Sequence, residues 1–305
     1  MKRIVLIILA LSSLIVQARE ITIRETRPID HGLDQASYFP RYNFDGSLVL
    51  FSSAGFVGLW QMDLKTGETT QISSAPGAGF HPIPLKDGSF IIREDQYDRG
   101  RKLTSLVQYQ QLLPLPLIEK GRFLSPGEIQ QNKLLYLEGS DLRVLDLEAE
   151  TMVSPNPDML AVFNDKLSLK LLRDGGLKAL QPLGEGNYIW AELSPRQDKI
   201  LFTKVGDATY TCDLEGAILD KIGRARAPRW SPDGQFILYM VDIDDGSRYL
   251  ESDIWISTAD ASKSWKVTDT KDRIELYPQW SPTGSQIIYH TVDGKLYTTT
   301  LEISD

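Results

Sequence analysis

The sequence is poor in side chains that form covalent or metal cross-links, with one cysteine and three histidines in 305 residues. The single cysteine, Cys212, cannot form an intramolecular disulfide, so a hydrophobic core must stabilise the fold. Cys212 lies in a strand-like alternation of residues, which predicts a buried small side chain and not a nucleophile. The histidines His31, His81 and His290 lie in different parts of the chain and form no closely spaced metal motif.

Basic residues are in deficit, because 33 Lys and Arg stand against 41 Asp and Glu, a formal charge of −8. An acidic surface repels phosphate backbones and anionic lipids, which argues against nucleic-acid binding and membrane binding. The apolar run at residues 4–16 follows Lys2 and Arg3 and is shorter than the roughly 20 residues that a spanning helix needs. It predicts a signal peptide, residues 1–18, with a retained anchor as the alternative. We therefore expect a periplasmic or secreted protein.

Two common catalytic motifs are also missing, since there is no Gly-x-Ser-x-Gly nucleophile elbow and no glycine-rich phosphate loop. The densest group of carboxylates lies at residues 242–247, in the longest loop of its region. Its spacing does not match an EF-hand loop, so it predicts a solvated hairpin tip, with a calcium site as the alternative. The sequence therefore predicts no metal and no cofactor.

A repeated phrase is the most informative feature that is present. Its clearest copies are residues 227–234, Ala-Pro-Arg-Trp-Ser-Pro-Asp-Gly, and residues 277–284, Tyr-Pro-Gln-Trp-Ser-Pro-Thr-Gly. Weaker copies begin at Phe39, His81 and Trp190. A run of β-branched and aromatic residues follows each clear copy, then a polar turn and further short strands. Four short strands per repeat, without a helical period, predict the blades of an all-β propeller.

Seven repeat units are the favoured count, and six are the alternative. The phrase fades between residues 123 and 183, where residues 158–183 form either a separate blade or the outer half of the preceding one. The last unit ends near Leu301 after three strands, while residues 20–25 form an unassigned strand. A fourth strand from the N-terminus would close the ring and remove exposed sheet edges. We therefore expect one closed domain, residues 19–305, that is a monomer. The units begin near Ser37, Phe80, Arg122, Asp158, Tyr188, Ala227 and Leu276.

The phrase Pro-x-Trp-Ser-Pro-Asp-Gly, followed by an apolar strand, resembles the WD40-like repeats of the TolB-like β-propeller family. The resemblance covers nearly the whole chain after the signal peptide and implies the fold, although TolB-like proteins have six blades. It says little about function, because such propellers include scaffolds, peptidase gates and sugar-acting enzymes. The motif residues are interpreted as structural, with the tryptophans between blades and the glycines in tight turns. They are Trp230, Ser231, Pro232, Asp233, Gly234, Trp280, Ser281, Pro282, Gly284, Asp45 and Gly46.

Some propeller lyases that act on oligogalacturonides are also similar to this family, and they hold a metal with several channel histidines. In this sequence His81 is the one histidine at such a position, because the matching positions carry Phe39, Ala227 and Tyr277. These three side chains cannot bind a divalent metal. The resemblance therefore does not imply a histidine metal site here.

The function predicted from the sequence is binding, because a propeller presents many short loops on a rigid frame. We expect a non-catalytic protein that binds an envelope protein or a glycan, in a scaffold or recognition role similar to TolB-like proteins. The candidate contact residues are Arg248, Tyr249, Asp244 and Asp245 in the long loop, and His81 in the channel. The alternative is a propeller enzyme, a lyase or glycosidase, that acts on oligosaccharides with two carboxyl groups in the central channel.

Overall fold

Strands that follow one another in the sequence pair antiparallel to form seven sheets. The computed structural model describes residues 19–125 and 127–304, and the predicted signal peptide at residues 1–18 lies outside them. Six of the described sheets have four strands, and the remaining one has three. Each sheet is one blade of a ring, so the chain folds as a seven-bladed β-propeller and the favoured count is confirmed.

The strands are numbered in chain order, and within each blade they are given from the channel outward, except that β1 (Glu20–Ile29) belongs to the last blade. Blades 1 and 2 comprise β2 (Tyr38–Tyr42), β3 (Leu48–Ser52), β4 (Val57–Asp63) and β5 (Thr69–Pro76), then β6 (Ile83–Pro84), β7 (Phe90–Asp98), β8 (Arg101–Gln110) and β9 (Leu113–Gly121). Blades 3 and 4 comprise β10 (Glu128–Gln130), β11 (Lys133–Glu138), β12 (Asp141–Asp146) and β13 (Thr151–Val153), then β14 (Ala161–Asp165), β15 (Ser168–Arg173) and β16 (Gly176–Leu180).

Blades 5 to 7 complete the ring. Blades 5 and 6 comprise β17 (Tyr188–Leu193), β18 (Ile200–Lys204), β19 (Thr209–Cys212) and β20 (Ile218–Gly223), then β21 (Arg226–Trp230), β22 (Phe236–Asp244), β23 (Tyr249–Thr258) and β24 (Ser264–Lys266). Blade 7 comprises β25 (Glu275–Trp280), β26 (Gln286–Thr291) and β27 (Leu296–Ser304), with β1 outermost. A single 3-10 turn, Ala54–Phe56, lies before β4, and no helix in residues 19–125 and 127–304 is long and apolar enough to span a bilayer.

Apolar side chains are buried on both faces of a blade, which explains the continuous hydrophobic runs of the second strands. Successive residues of a strand point to opposite faces. In β3, Val49 and Phe51 pack against blade 7, whereas Leu50 packs against blade 2. The buried apolar residues form seven separate clusters, one at each interface between adjacent blades. Cys212 belongs to the cluster between blades 4 and 5, where burial raises the pKa of its thiol to about 12.

The N-terminal strand closes the ring, as the sequence predicts. Strand β1 pairs antiparallel with β27, with Ile21 opposite Ile303 and Ile23 opposite Leu301. Ile21 is also buried in the apolar cluster between blades 6 and 7. The seventh blade is therefore built from both ends of the described chain.

Blade 4 is the three-stranded blade, and a turn follows its last strand. The Tyr188 hydroxyl donates to the carbonyl oxygen of Gly184 at 2.6 Å and accepts from the Leu183 amide at 3.2 Å. These bonds hold residues 181–187 as a compact turn that leads directly to blade 5. This is the region where the repeated phrase fades.

The repeated phrase supplies the inner strand of a blade and the turn that follows it. The indole N–H of Trp230 donates to the carbonyl oxygen of Glu192 in blade 5, and the indole of Trp280 donates to that of Arg229 in blade 6, both at 3.4 Å. Each tryptophan thus joins its own blade to the preceding one. Gly234, in the turn after Trp230, has a φ of +69°, a left-handed conformation that glycine adopts without strain.

Candidate active site in the central channel

In five blades, one residue in or beside the innermost strand has a left-handed backbone conformation. Phe39, His81, Trp190, Ala227 and Tyr277 have φ values of 54°, 51°, 53°, 48° and 51°. In all of these blades except that of His81, the register between the first and second strands shifts at this point. Such a bulge re-aims the side chains that follow it, and bulges are common beside active sites.

Residues that follow these bulges line a cavity of about 700 Å³ on the axis of the ring. All seven blades contribute to its wall, and each supplies at least one polar side chain. One polar side chain from each blade, in order from blade 1 to blade 7, is Arg41, His81, Glu128, Asn164, Glu192, Arg229 and Gln279. The central channel therefore presents polar side chains from every blade among apolar ones.

Glu192 is held in place by the neighbouring blade. The backbone N–H of Trp230 donates to Oε2 of Glu192 at 3.1 Å. Burial raises the pKa of Glu192, while the positive charge of Arg229, the Trp230 amide and the charge of Arg41 oppose this rise. This carboxyl group is thus the one in the cavity whose ionised form is stabilised by cations.

Arg41 and Arg229 occupy the same position of the repeat in blades 1 and 6. Nη1 of Arg41 donates to the carbonyl oxygen of Pro82 at 2.6 Å. Nε of Arg229 is buried and has no hydrogen-bond partner among residues 19–125 and 127–304. Burial and the charge of Arg229 lower the pKa of Arg41 to about 10, partly offset by Glu192, so Arg41 stays charged at neutral pH.

Glu128, in blade 3, lies in a different electrostatic environment from Glu192. Burial, assisted by the negative charge of Glu192, raises the pKa of Glu128 to about 8. Among residues 19–125 and 127–304, no cation lowers the pKa of Glu128 in the way that Arg229 and Arg41 lower that of Glu192. Glu128 is therefore mostly protonated at pH 7 and can donate a proton.

His81 lies in the channel wall, as the sequence predicts. Burial and the charges of Arg41, Arg229 and Arg93 hold its pKa well below the usual value, so the imidazole is neutral at pH 7. Its ring contacts Phe80 at a centroid distance of 4.9 Å. A neutral imidazole offers one hydrogen-bond donor and one acceptor to a ligand.

The other candidate contact residues lie together on the β22–β23 hairpin, away from His81. Arg248 is exposed, and its Nε lies 3.3 Å from Oδ2 of Asp245. Oδ2 of Asp244 accepts a hydrogen bond from Nη2 of Arg226 at 3.0 Å. The half-buried Tyr249 places its hydroxyl 3.2 Å from that of Tyr277. None of these four hairpin candidates lines the central cavity.

Half of the carboxylate segment at residues 242–247 is strand, which corrects the expectation of a long loop. Asp242 pairs with Ser252 and Asp244 with Tyr249 in the ladder between β22 and β23, so the loop is residues 245–248 alone. Across residues 19–125 and 127–304, no three His, Cys, Asp or Glu side chains are grouped closely enough to hold a metal ion.

Comparison with solved structures finds oligogalacturonate lyases whose fold is similar to that of this chain. An oligogalacturonate lyase from Vibrio parahaemolyticus has a TM-score of 0.62 and 11% identity, covering 92% of this chain and 96% of its own. An oligogalacturonate lyase in complex with manganese has a TM-score of 0.62 and 15% identity, covering 93% of this chain and 96% of its own. No family model and no curated protein sequence matches the chain.

These similar structures overturn the expectation of a non-catalytic binding protein. They match the propeller over nearly its whole length, and both are named as lyases. At 11% and 15% identity the likeness establishes the fold, and the chemistry must be argued from this chain's own channel residues. Sequence reasoning missed the arginine and glutamate residues of the channel, Arg41, Glu128, Glu192 and Arg229. A signal for three of them was present, because they stand at the variable position of Pro-x-Trp or its equivalent.

Proposed function

We propose that this protein is a lyase that cleaves an oligosaccharide of uronic acids in its central channel. The observation that carries the proposal is the pair Glu128 and Glu192, two carboxyl groups in one cavity with different surroundings. Two titratable groups whose environments favour different protonation states at the same pH are suited to act as acid and base. The cavity volume of about 700 Å³ lies within the range of sites for small ligands.

Elimination needs a base that removes a proton next to the sugar carboxylate and an acid that protonates the departing oxygen. Glu192 is the proposed base, because Arg229 and Arg41 favour its ionised form. Glu128 is the proposed acid, because it holds a proton at neutral pH.

In the reaction, Glu192 takes the proton from C5, and the electron pair left on C5 forms the C4=C5 double bond. The bond between C4 and the glycosidic oxygen breaks, and that oxygen takes the proton of Glu128. No water is consumed, and proton exchange with solvent restores both carboxyl groups.

The two arginines favour an acidic sugar over a neutral one. A carboxylate beside the carbon that loses its proton makes that proton more acidic, most of all when cations neutralise the carboxylate. Arg41 and Arg229 supply two positive charges in the same cavity. This favours elimination from a uronic acid over hydrolysis of a neutral glycosidic bond.

The test is to incubate the purified protein with oligogalacturonates and with neutral oligosaccharides. Elimination leaves an unsaturated sugar that absorbs ultraviolet light, which hydrolysis does not produce. We expect absorbance to rise with the acidic substrates, and Glu128→Gln and Glu192→Gln each to slow the rise at least a hundredfold. Glu251→Gln, an exposed glutamate outside the channel, is the matched control and should keep full activity.

Melting temperatures measured for each variant separate loss of chemistry from loss of folding. The proposal fails if no uronic acid oligosaccharide is cleaved, or if both channel variants remain as active as the Glu251→Gln control.

A further inference from the structure

The charges in the channel do not balance. Besides Tyr42, whose phenol is neutral because burial raises its pKa, five ionisable side chains among the described residues line the cavity: Arg41, His81, Glu128, Glu192 and Arg229. At neutral pH Glu128 is mostly protonated and His81 is uncharged. The two arginines then face at most one carboxylate, so the cavity carries at least one uncompensated positive charge. Because a buried charge is costly without a partner, the site favours an anionic ligand.

The two guanidinium groups also have donors to offer. Each arginine carries five N–H donors, in a fork that matches the two oxygens of a carboxylate. The one hydrogen bond that the Arg41 side chain donates within the described residues is the Nη1 bond to Pro82. The buried Nε of Arg229 donates none to residues 19–125 and 127–304. Both arginine residues line the same cavity.

A divalent metal does not fit the residues of this channel. One similar lyase structure contains manganese, and such ions prefer several oxygen or imidazole ligands. Here His81 is the one imidazole in the cavity wall, and the equivalent bulge positions carry Phe39, Ala227 and Tyr277. The two carboxyl groups of the cavity are not suited to bind a metal ion either. Glu192 is held by the Trp230 amide and the arginines. Glu128 is protonated.

We propose that Arg41 and Arg229 together bind the carboxylate of the substrate and supply the positive charge in place of a divalent cation. The inference rests on the proposed function, because it specifies how that substrate is held. Positive charge near the carboxylate stabilises the electron pair that proton removal leaves behind. A paired guanidinium site provides it through hydrogen bonds without metal ligands.

Calorimetry on the Glu128→Gln background, where turnover is expected to be at least a hundredfold slower, tests the proposal with trigalacturonate and its methyl ester. The methyl ester has the same rings but no carboxylate charge. We expect trigalacturonate to bind, and Arg41→Gln or Arg229→Gln each to weaken binding tenfold to a hundredfold, as expected for hydrogen bonds to a charged group. A metal chelator should change the Kd by less than twofold.

Arg248→Gln is the matched control, because it removes an exposed arginine on the β22–β23 hairpin by the same substitution. It should leave the Kd unchanged. If Arg229→Gln does not fold, Arg229→Lys replaces it, since lysine keeps the charge but loses the fork. We expect this variant to bind with intermediate affinity.

Four results would overturn the inference: loss of binding with the chelator, unchanged binding in both arginine variants, equal binding of the methyl ester, or no binding of trigalacturonate. Failure of the proposed function looks different, because trigalacturonate would then bind through the arginines while the wild-type protein cleaves no oligomer. Conversely, metal-dependent cleavage would retain the function and refute the arginine site.

Discussion

Trp230 in blade 6 donates hydrogen bonds to both the side chain and the backbone of Glu192 in blade 5. Its backbone N–H donates to the carboxylate at 3.1 Å, and its indole N–H donates to the Glu192 carbonyl oxygen at 3.4 Å. A residue of the repeated phrase, which the sequence indicates as structural, therefore also orients the proposed base. The interface between blades 5 and 6 therefore contributes both to the stability of the fold and to the orientation of the proposed base.

Trp230→Phe should separate these two roles. The substitution removes the indole hydrogen bond but keeps the backbone N–H that contacts the carboxylate, so we expect a loss of about 1 kcal/mol in the free energy of unfolding. Activity should fall by less than tenfold, because Glu192 keeps its bond to the backbone. Trp230→Ala should cost about 3–5 kcal/mol through the cavity it leaves. Denaturant unfolding measures both values. Trp280→Phe is the matched control for stability, because it loses the equivalent indole hydrogen bond, to the carbonyl oxygen of Arg229.

The rate of cleavage should depend on the protonation of Glu128. Its pKa of about 8 means that the carboxyl group donates a proton below this pH and has lost it above. We expect kcat/KM, which reports the pKa values of the free enzyme, to fall by about tenfold per pH unit well above pH 8, as for any acid that must be protonated. A pH profile of kcat/KM measures this. A rate that stays constant from pH 7 to pH 10 would show that Glu128 is not the acid.

Stability should respond to pH through the same group. The pKa of Glu128 is raised from 4.5 to about 8, so the folded state holds a proton that the unfolded state releases between these values. Its stabilising contribution is complete below pH 4.5 and is lost as pH rises towards 8. Glu128→Gln removes this loss and should be more stable than wild type at pH 9, by roughly 2 kcal/mol or more at about 1.4 kcal/mol per pKa unit.

The comparison is made by thermal unfolding of both proteins at pH 5 and pH 9. The advantage of Glu128→Gln should be larger at pH 9. An equal difference at the two pH values would mean that Glu128 titrates normally.

Ring closure can be tested on the N-terminal strand. Ile21→Ala removes a buried side chain from the cluster between blades 6 and 7, and we expect it to cost about 2–5 kcal/mol in the free energy of unfolding. Thr22→Ala changes the next residue of β1, which is exposed, and should change stability by less than about 0.5 kcal/mol. Equal effects of the two substitutions in denaturant unfolding would show that β1 does not seal the ring.

Most of the fold is predictable because each blade repeats the same physical requirement. A buried second strand needs apolar residues on both faces, and the turn before it needs a residue that accepts positive φ, as Gly234 does. The turn residue ends the repeated phrase at Gly234, and the apolar run that forms the second strand follows it in the sequence. The strand pairing of β1 was also predictable, because a lone strand at one end matched a blade lacking one at the other.

The site was harder to predict because its residues are separated by a blade or more in sequence. Arg41, Glu192, Arg229 and Gln279 share the position two residues after the bulge, which only the ring brings together. Glu128 lies where the repeated phrase fades, so no pattern marks it. Its proton depends on burial and on the nearby charge of Glu192, which are properties of the assembled channel.

The pairing of β1 with β27 also sets the order in which the protein can be completed. About 280 residues separate Ile23 from its partner Leu301, so their contact is among the most distant in the chain. Contacts of such long range slow folding, because the intervening chain must first lose much of its freedom. During synthesis the seventh blade cannot be completed until β27 has emerged from the ribosome.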